Sequence, residues 1–171
     1  RLADSNARRK LVISDAVFSM EGDIAPVKQL IALCEKYHAL LLLDDAHGFG
    51  VLGRQGRGSL FVAGSDVVHS PSIVYMATLG KAAGVFGAFV AAQADVIETL
   101  IQSARSYIYT TATPPLLSHA LLTSLKLIEQ EEWRREALLQ NIAQLKNDLL
   151  SSSWKLLPSS TPIQPLLIGE S

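Results

Sequence analysis

The sequence has a single cysteine, Cys34, so no disulfide can form within the chain, which fits a reducing compartment. It has no run of about 18 apolar residues, the length that a membrane-spanning helix requires. It also lacks an excess of charge, since 15 basic and 16 acidic side chains leave a formal net charge of -1. That balance provides no electrostatic attraction to nucleic acid or to an anionic membrane. We therefore expect a cytoplasmic protein that binds neither.

Apolar residues are plentiful, at 49% against 18% charged residues, so the chain belongs in a packed core. Both ends of the sequence are abrupt. The start lacks a methionine and a signal peptide, and the last residues, 163–169, read as a strand that has just begun. We expect a fragment of a longer enzyme. Cys34 is predicted to be an inert core residue.

Apolar runs and helical spacing predict an α/β fold. A helix from Pro26 to about His38, with an apolar face of Val27, Leu30, Ile31, Leu33 and Cys34, connects two strands and makes a parallel βαβ unit. The expected sheet is mainly parallel, with helices on both faces. Further helices are expected at 95–106, 114–128 and 133–150. The predicted strands are 10–14, 39–43, 72–77 and 87–92.

A lysine and an acid–histidine pair stand where ligands bind in such folds. Asp44 and His47 follow the apolar run 39–43, at the carboxyl end of a predicted strand. Lys81 lies among small residues, between Gly80 and Gly84, after another predicted strand. A lysine can form a Schiff base with the aldehyde of pyridoxal phosphate, while an acid keeps the pyridine nitrogen protonated. The combination predicts a pyridoxal phosphate site.

Each of these residues also has a plainer interpretation. Asp44 alone could cap the next turn, and Lys81 alone could be a surface lysine. A nucleotide-type phosphate loop does not fit Lys81, because that motif needs glycine and a hydroxyl residue where Tyr75 and Ala82 stand. The glycine-rich turn 53–58 could also cradle phosphate, although we favour a structural turn. The histidines show no metal-ligand spacing, so no metal site is predicted.

Four ordered motifs resemble those of the α-oxoamine synthases, a family of fold-type I pyridoxal phosphate enzymes. They extend over nearly the whole chain, and as a set they are specific for the family. Glu21 replaces the more common aspartate of the first motif. The resemblance implies that residues 1–133 are part of the cofactor-binding large domain and that 134–171 begin a smaller, truncated α+β domain. The motifs are SDAVFSMEGD (14–23), DDAHG with GVLG (44–53), TLGK (78–81) and YIYTTATPP (107–115).

The resemblance implies a catalytic role for three residues. Lys81 would carry the cofactor and move the substrate α-proton, Asp44 would hold the pyridine nitrogen, and His47 would lie near the phenolic oxygen. The implied reaction condenses an amino acid with an acyl thioester and releases carbon dioxide. The pattern is most similar to the biotin-biosynthesis member, which uses L-alanine and pimeloyl-CoA or a pimeloyl carrier protein. A glycine C-acetyltransferase type and a non-catalytic, dimerising fragment remain as alternatives.

The resemblance implies four further cofactor contacts. Ser19 would touch the cofactor, and Thr78 would bind its phosphate. Thr110 and Thr111 would reach the phosphate of the neighbouring subunit, because the sites of the family lie at a homodimer interface. The stacking aromatic residue and the glycine-rich phosphate segment of the family would precede this chain, and the arginine for the substrate carboxylate would follow it. We therefore expect this fragment alone to be weakly active or inactive.

Overall fold

The structure is a computed structural model that describes residues 1–64 and 69–169. Its main sheet has four strands: β1 (Leu11–Asp15), β2 (Leu40–Asp44), β3 (Ile73–Thr78) and β4 (Ala88–Ala91). They are ordered β1-β2-β3-β4. β1, β2 and β3 are parallel, and β4 runs antiparallel to β3. Each strand boundary lies within one residue of its prediction, and the mainly parallel α/β fold is confirmed.

The connections explain these directions. Helix α1 (Val27–Lys36) carries the chain from β1 back to the start of β2, so the two strands run parallel. The loop 79–87 between β3 and β4 contains no helix and is too short for such a crossover. β4 must therefore return antiparallel beside β3, and its first residues stand next to the carboxyl end of β3.

One face of α1 packs on the sheet. Val27, Ile31 and Cys34 are buried in the main core cluster, at the spacing of an amphipathic helix. The expectation for Cys34 is confirmed. Leu33 was expected on this face, but 44% of its surface is exposed. The three buried positions recur every three or four residues, and Leu33 lies one residue outside that stripe.

The two faces of the sheet differ in burial. Leu41 and Leu43 of β2 face α1 and are completely buried. Leu40 of β2 and Ile13 of β1 point to the other side, because successive strand residues alternate. They are 38% and 69% exposed. In the part of the chain that the structure describes, helix packing is therefore tighter on one face of the sheet.

In the described ranges, the α-helices that follow are α2 (Ser59–Ala63), α3 (Ala94–Ser103), α4 (Arg105–Ile108), α5 (Pro115–Gln130) and α6 (Trp133–Leu149). The short α2 was not predicted. The single helix expected at 95–106 is wrong, because Ala104 has an extended ψ of 106° that separates α3 from α4. None of the helices among the described residues combines the length and apolarity that a membrane span needs.

The last part of the chain forms a small antiparallel pair, β5 (Lys155–Leu156) and β6 (Leu166–Leu167). The connection between them returns to the main body, where the hydroxyls of Ser159 and Thr161 donate to the carbonyl of Gly22 at 3.0 and 2.9 Å. The strand expected in 163–169 is thus confined to two residues. A separate smaller domain from residue 134 stays a prediction, and its last residues, 170–171, lie outside the described ranges.

Candidate active site

The carboxyl ends of β1, β2 and β3 meet at one edge of the sheet. Asp15 stands in register with Asp44, which in turn pairs with Met76. Backbone hydrogen bonds continue beyond the strands: the N–H of Ala16 donates to the carbonyl of Asp44 at 2.7 Å, and the N–H of Asp45 to that of Met76 at 2.8 Å. The loops that leave this edge are therefore held side by side, where open parallel sheets bind ligands.

A tight turn after β2 carries the acid and the histidine. Oδ1 of Asp44 accepts a hydrogen bond from the N–H of Ala46 at 2.9 Å, so this acid does cap its turn. In the described part of the chain no hydrogen bond engages its other oxygen, Oδ2. The carbonyl of Asp45 accepts from the N–H of Gly48 at 3.0 Å and closes the turn around half-buried His47. Asp44 thus has one oxygen fixed and one available.

Lys81 reaches the histidine from the next loop. Loop 79–87 is closed by its own backbone, since the N–H of Leu79 donates to the carbonyl of Gly87 at 2.8 Å and that of Gly84 to Lys81 at 2.9 Å. The Lys81 side chain extends to the neighbouring turn, and its Nζ lies 2.8 Å from Nε2 of His47. That separation allows a hydrogen bond and a direct proton transfer between the two groups.

Helix α5 supports the Lys81 loop from outside. The hydroxyl of Ser124 donates to the carbonyl of Ala83 at 2.6 Å. Because Gly50 has no side chain, the turn after His47 can lie against the Lys81 loop. A Cβ at this position would stand 2.8 Å from that of Ala82, and φ is +80°. The two contacts hold the small-residue loop between α5 and the turn that follows His47.

A buried arginine joins the two long helices to the glycine-rich turn. Arg135 of α6 is only 8% exposed, and its Nη1 donates to the carbonyl of Ile128 in α5 at 2.7 Å. Its Nε and Nη2 bond Glu132 at 2.9 and 2.5 Å, which lowers the pKa of that carboxyl. A Cβ on Gly56 would stand 3.0 Å from Nη1. This packing agrees with the structural interpretation of turn 53–58.

The other predicted hydroxyls near the edge are Thr78 and Ser19. Thr78 ends β3, and its Oγ1 donates to the carbonyl of Gly87 at 3.2 Å and accepts from the N–H of Gly80 at 3.3 Å. Ser19 is exposed on the turn that follows β1. That turn is closed by a hydrogen bond of 2.9 Å from Gly22 to the carbonyl of Phe18. Thr78 is the last residue of β3 and Ser19 follows β1, two strands whose carboxyl ends form this edge.

Thr110 and Thr111 lie elsewhere, after α4. Both are exposed and line an open cavity of about 570 Å³ together with Tyr107 and Ile108. Asp44, His47 and Lys81 do not line that cavity. The hydroxyl of Thr110 donates to the carbonyl of Ser106 at 2.7 Å, whereas no hydrogen bond of the described residues engages the Thr111 hydroxyl. Within one copy of the chain, the two threonines are not joined to the lysine site.

A buried acid beneath the turn was not predicted from the sequence. Asp45 is completely buried, and its Oδ2 accepts hydrogen bonds from the N–H of Ser59 and the hydroxyl of Tyr75, both at 2.7 Å. Burial raises the pKa of Asp45, although these hydrogen bonds act in the opposite direction. Burial also raises the pKa of Tyr75. The sequence signal that could have indicated it is the Asp44-Asp45 doublet. Adjacent residues at a strand end point to opposite sides, so the two acids are expected to have different surroundings.

The comparisons place the chain in a family. All of residues 1–171 match the model for aminotransferase class I and II. The chain belongs to that family. An 8-amino-7-oxononanoate synthase from Nitrosospira multiformis is 68% identical over 170 residues, covering 99% of this chain and 42% of that protein. The predicted family resemblance is confirmed, and the chain spans less than half the length of this curated relative, as expected of a fragment.

Two solved structures share the fold of this chain. A serine palmitoyltransferase from S. paucimobilis with a bound PLP–myriocin aldimine matches with a TM-score of 0.83 and 28% identity, covering 99% of this chain and 44% of that one. An 8-amino-7-oxononanoate synthase from Francisella tularensis matches with a TM-score of 0.76 and 33% identity, covering 94% and 46%. The fold-type I architecture predicted from the motifs is confirmed by these similarities.

Proposed function

We propose that the complete protein containing this chain is a pyridoxal phosphate-dependent C-acyltransferase of the 8-amino-7-oxononanoate synthase type. The observation that carries the proposal is the 2.8 Å approach of Lys81 Nζ to His47 Nε2, at the sheet edge where Asp44 ends β2. The 68% identity to a curated relative of that name supports it. The serine palmitoyltransferase structure is less similar in sequence, at 28% identity, which favours the 8-amino-7-oxononanoate synthase type.

Pyridoxal phosphate fits the groups present. The edge presents a primary amine, an imidazole and a carboxylate, and a Cβ built on Gly84 would meet no atom within 4 Å, so the loop beside Lys81 faces open space. Asp44 has Oδ2 available, since its hydrogen bond to Ala46 uses Oδ1. When bound, the cofactor supplies an aldehyde for an amine and an aromatic ring that accepts electrons from a deprotonated amino acid.

Lys81 and His47 form the proton-transfer pair of the proposed site. A lysine amine must be neutral before it acts as a nucleophile, and Nε2 of a neutral His47 lies close enough to take its proton. The same neutral amine is the base that we assign to the α-proton of the amino acid. Asp44 is oriented by the N–H of Ala46, and its Oδ2 would hold the proton on the ring nitrogen.

The hydroxyl residues are assigned to anion binding. Ser19 is exposed at the same edge and would contact the cofactor, and Thr78 would reach its phosphate by exchanging its bond to Gly87. Thr110 and Thr111 would serve a second copy of the chain in a homodimer, which agrees with their exposure away from Lys81. Of this pair, Thr111 has the uncommitted hydroxyl and is the better donor to a phosphate.

The proposed substrates are L-alanine and a pimeloyl thioester, either pimeloyl-CoA or the carrier-protein form. The condensation joins the α-carbon of the amino acid to the acyl carbon, with loss of the thiol and of carbon dioxide. Turnover measured with alanine, glycine and serine, each combined with pimeloyl, acetyl and palmitoyl thioesters, identifies the enzyme type. We expect the highest turnover with alanine and the pimeloyl thioester. A preference for glycine with acetyl-CoA would instead indicate the glycine C-acetyltransferase type.

The decisive experiment uses the complete protein that contains this chain. Borohydride reduction in the presence of pyridoxal phosphate, followed by mass spectrometry, should place the label on the peptide with Lys81. Lys81→Ala should lose the label and reduce turnover by at least about a thousandfold, because the chemistry depends on the amine. Lys126→Ala, at an exposed lysine of α5, is the matched control and should keep the label and the turnover of the parent protein. A label that persists in Lys81→Ala would refute the assignment.

A further inference from the structure

The strongest unassigned feature is the buried carboxyl of Asp45. It lies between Asp44 and the turn of His47, is completely shielded from solvent, and has no part in the proton transfers assigned above. Burying an acid costs stability unless its surroundings compensate. Its Oδ2 receives two donors at 2.7 Å, but its Oδ1 has no hydrogen-bond partner among the described residues. A carboxyl buried with one oxygen unpaired is unfavourable for stability, so we expect a structural role for its hydrogen bonds.

The surroundings of Asp45 are shaped for it. A Cβ on Gly48 would overlap Oδ1, and a Cβ on Gly58 would overlap Oδ2 and stand 2.6 Å from the hydroxyl of Tyr75. Gly58 also has φ at +91°, a conformation that side chains disfavour. Two glycines therefore make room for this carboxyl, while Ser59 and Tyr75 bond it from α2 and β3.

Asp45 is also the residue that closes the active-site turn. Its carbonyl accepts the N–H groups of Gly48 and Phe49 at 3.0 and 2.9 Å, and its own N–H donates to Met76 in β3 at 2.8 Å. Main chain and side chain together fix the orientation of this one residue. Asp44 precedes it directly and His47 follows two positions later, so a rotation at Asp45 would move both.

We propose that Asp45 is a positioning residue of the cofactor site, which acts by holding the turn that directs Asp44 and His47. It does so through the hydrogen bonds that its carboxyl accepts from Ser59 and Tyr75. The role in cofactor binding rests on the function proposed above. Burial also favours the neutral form of Asp45, since it raises the pKa.

The test compares Asp45→Ala, Asp45→Asn and Cys34→Ala in the complete protein. Asn keeps an oxygen for Ser59 and Tyr75, whereas Ala does not. Cys34 is as completely buried as Asp45 but lies in α1, so its truncation is a matched control for general loss of packing. The measurements are the dissociation constant of pyridoxal phosphate, the pH midpoint of its absorbance change, and the free energy of unfolding in urea.

We expect Asp45→Ala to weaken cofactor binding by about tenfold to a hundredfold, because small displacements of binding groups have effects of this size. Its pH midpoint of absorbance should also shift. Asp45→Asn should stay within about threefold of the parent protein, since the accepted hydrogen bonds are kept. Cys34→Ala should leave binding and the midpoint unchanged. Three results would each overturn the proposal: parent-like cofactor binding in Asp45→Ala, cofactor binding as weak in Asp45→Asn as in Asp45→Ala, or an equal loss of cofactor affinity in Cys34→Ala.

A cofactor-free measurement separates this inference from the proposed function. Crystal structures of the parent protein and of Asp45→Ala without cofactor should show a longer Lys81 Nζ to His47 Nε2 distance than 2.8 Å only in the variant. An unchanged turn in the variant refutes the positioning role. If the parent protein shows no binding of pyridoxal phosphate at all, the proposed function fails, and the turn geometry still decides the role of Asp45.

Discussion

Replacing Tyr75 by phenylalanine removes one hydroxyl from the buried acid and little else. The Tyr75 ring is 8% exposed and packs against Phe89 with ring centroids 6.0 Å apart, a contact that phenylalanine retains. The hydroxyl donates to Oδ2 of Asp45 at 2.7 Å. The substitution therefore isolates the contribution of this hydrogen bond to stability and to the protonation of Asp45.

The magnitude follows from the charge of the acceptor. A hydrogen bond to a neutral group contributes about 1 kcal/mol net, and one to a charged group about 1.5–3 kcal/mol. Burial favours the neutral form of Asp45, so at low pH we expect Tyr75→Phe to cost about 1 kcal/mol. As the pH rises and Asp45 ionises, the cost should approach about 2–3 kcal/mol.

The pH dependence has a definite sign. The pKa of Asp45 is raised in the folded protein above its ordinary value of 3.8, so its contribution to stability is complete below that value. It is lost as the pH rises towards the folded pKa, because the unfolded chain releases its proton first. The Tyr75 hydrogen bond lowers the pKa of Asp45 in the folded protein. Its removal therefore raises that pKa further and increases the stability lost as the pH rises. Each added pKa unit costs about 1.4 kcal/mol at high pH.

The assay is urea unfolding of the cofactor-free complete protein at several pH values between 4 and 8. The difference between parent and Tyr75→Phe should grow with pH. The growth should vanish in the Asp45→Asn background, where residue 45 no longer titrates. A constant difference across the range, or a growth that persists with asparagine at 45, would show that the Asp45–Tyr75 bond does not cause this pH dependence.

Three further substitutions test the packing around the site. Gly58→Ala should cost about 2–5 kcal/mol in urea unfolding, because a Cβ at φ +91° meets the Tyr75 hydroxyl at 2.6 Å. Gly84→Ala, at φ +63° with no atom within 4 Å, should cost only about 1–2 kcal/mol, and equal costs would contradict the steric argument. Ser124→Ala removes the 2.6 Å bond to Ala83 and should weaken pyridoxal phosphate binding about threefold to tenfold in absorbance titrations. Unchanged binding would mean that α5 does not support the Lys81 loop.

Local patterns predicted the elements that carry the site. Uninterrupted apolar runs set the strands to within one residue, and the strand–helix–strand order set their parallel direction. The same patterns failed where burial decides. Leu33 has the right chemistry for the α1 core stripe but lies beside it, exposed. The helix expected at 95–106 breaks at Ala104, whose extended backbone no local propensity predicts.

Local sequence patterns were enough to predict that Asp44, His47 and Lys81 lie at or just after strand ends, because strand periodicity and motif spacing are local properties of the chain. The 2.8 Å separation of the lysine and histidine nitrogens arises from folding, since two loops separated by 34 positions must pack side by side. Folding also determines which acid of the doublet is buried. The partners of Asp45 lie 14 and 30 positions away, and their convergence depends on how β3 and α2 assemble around the turn.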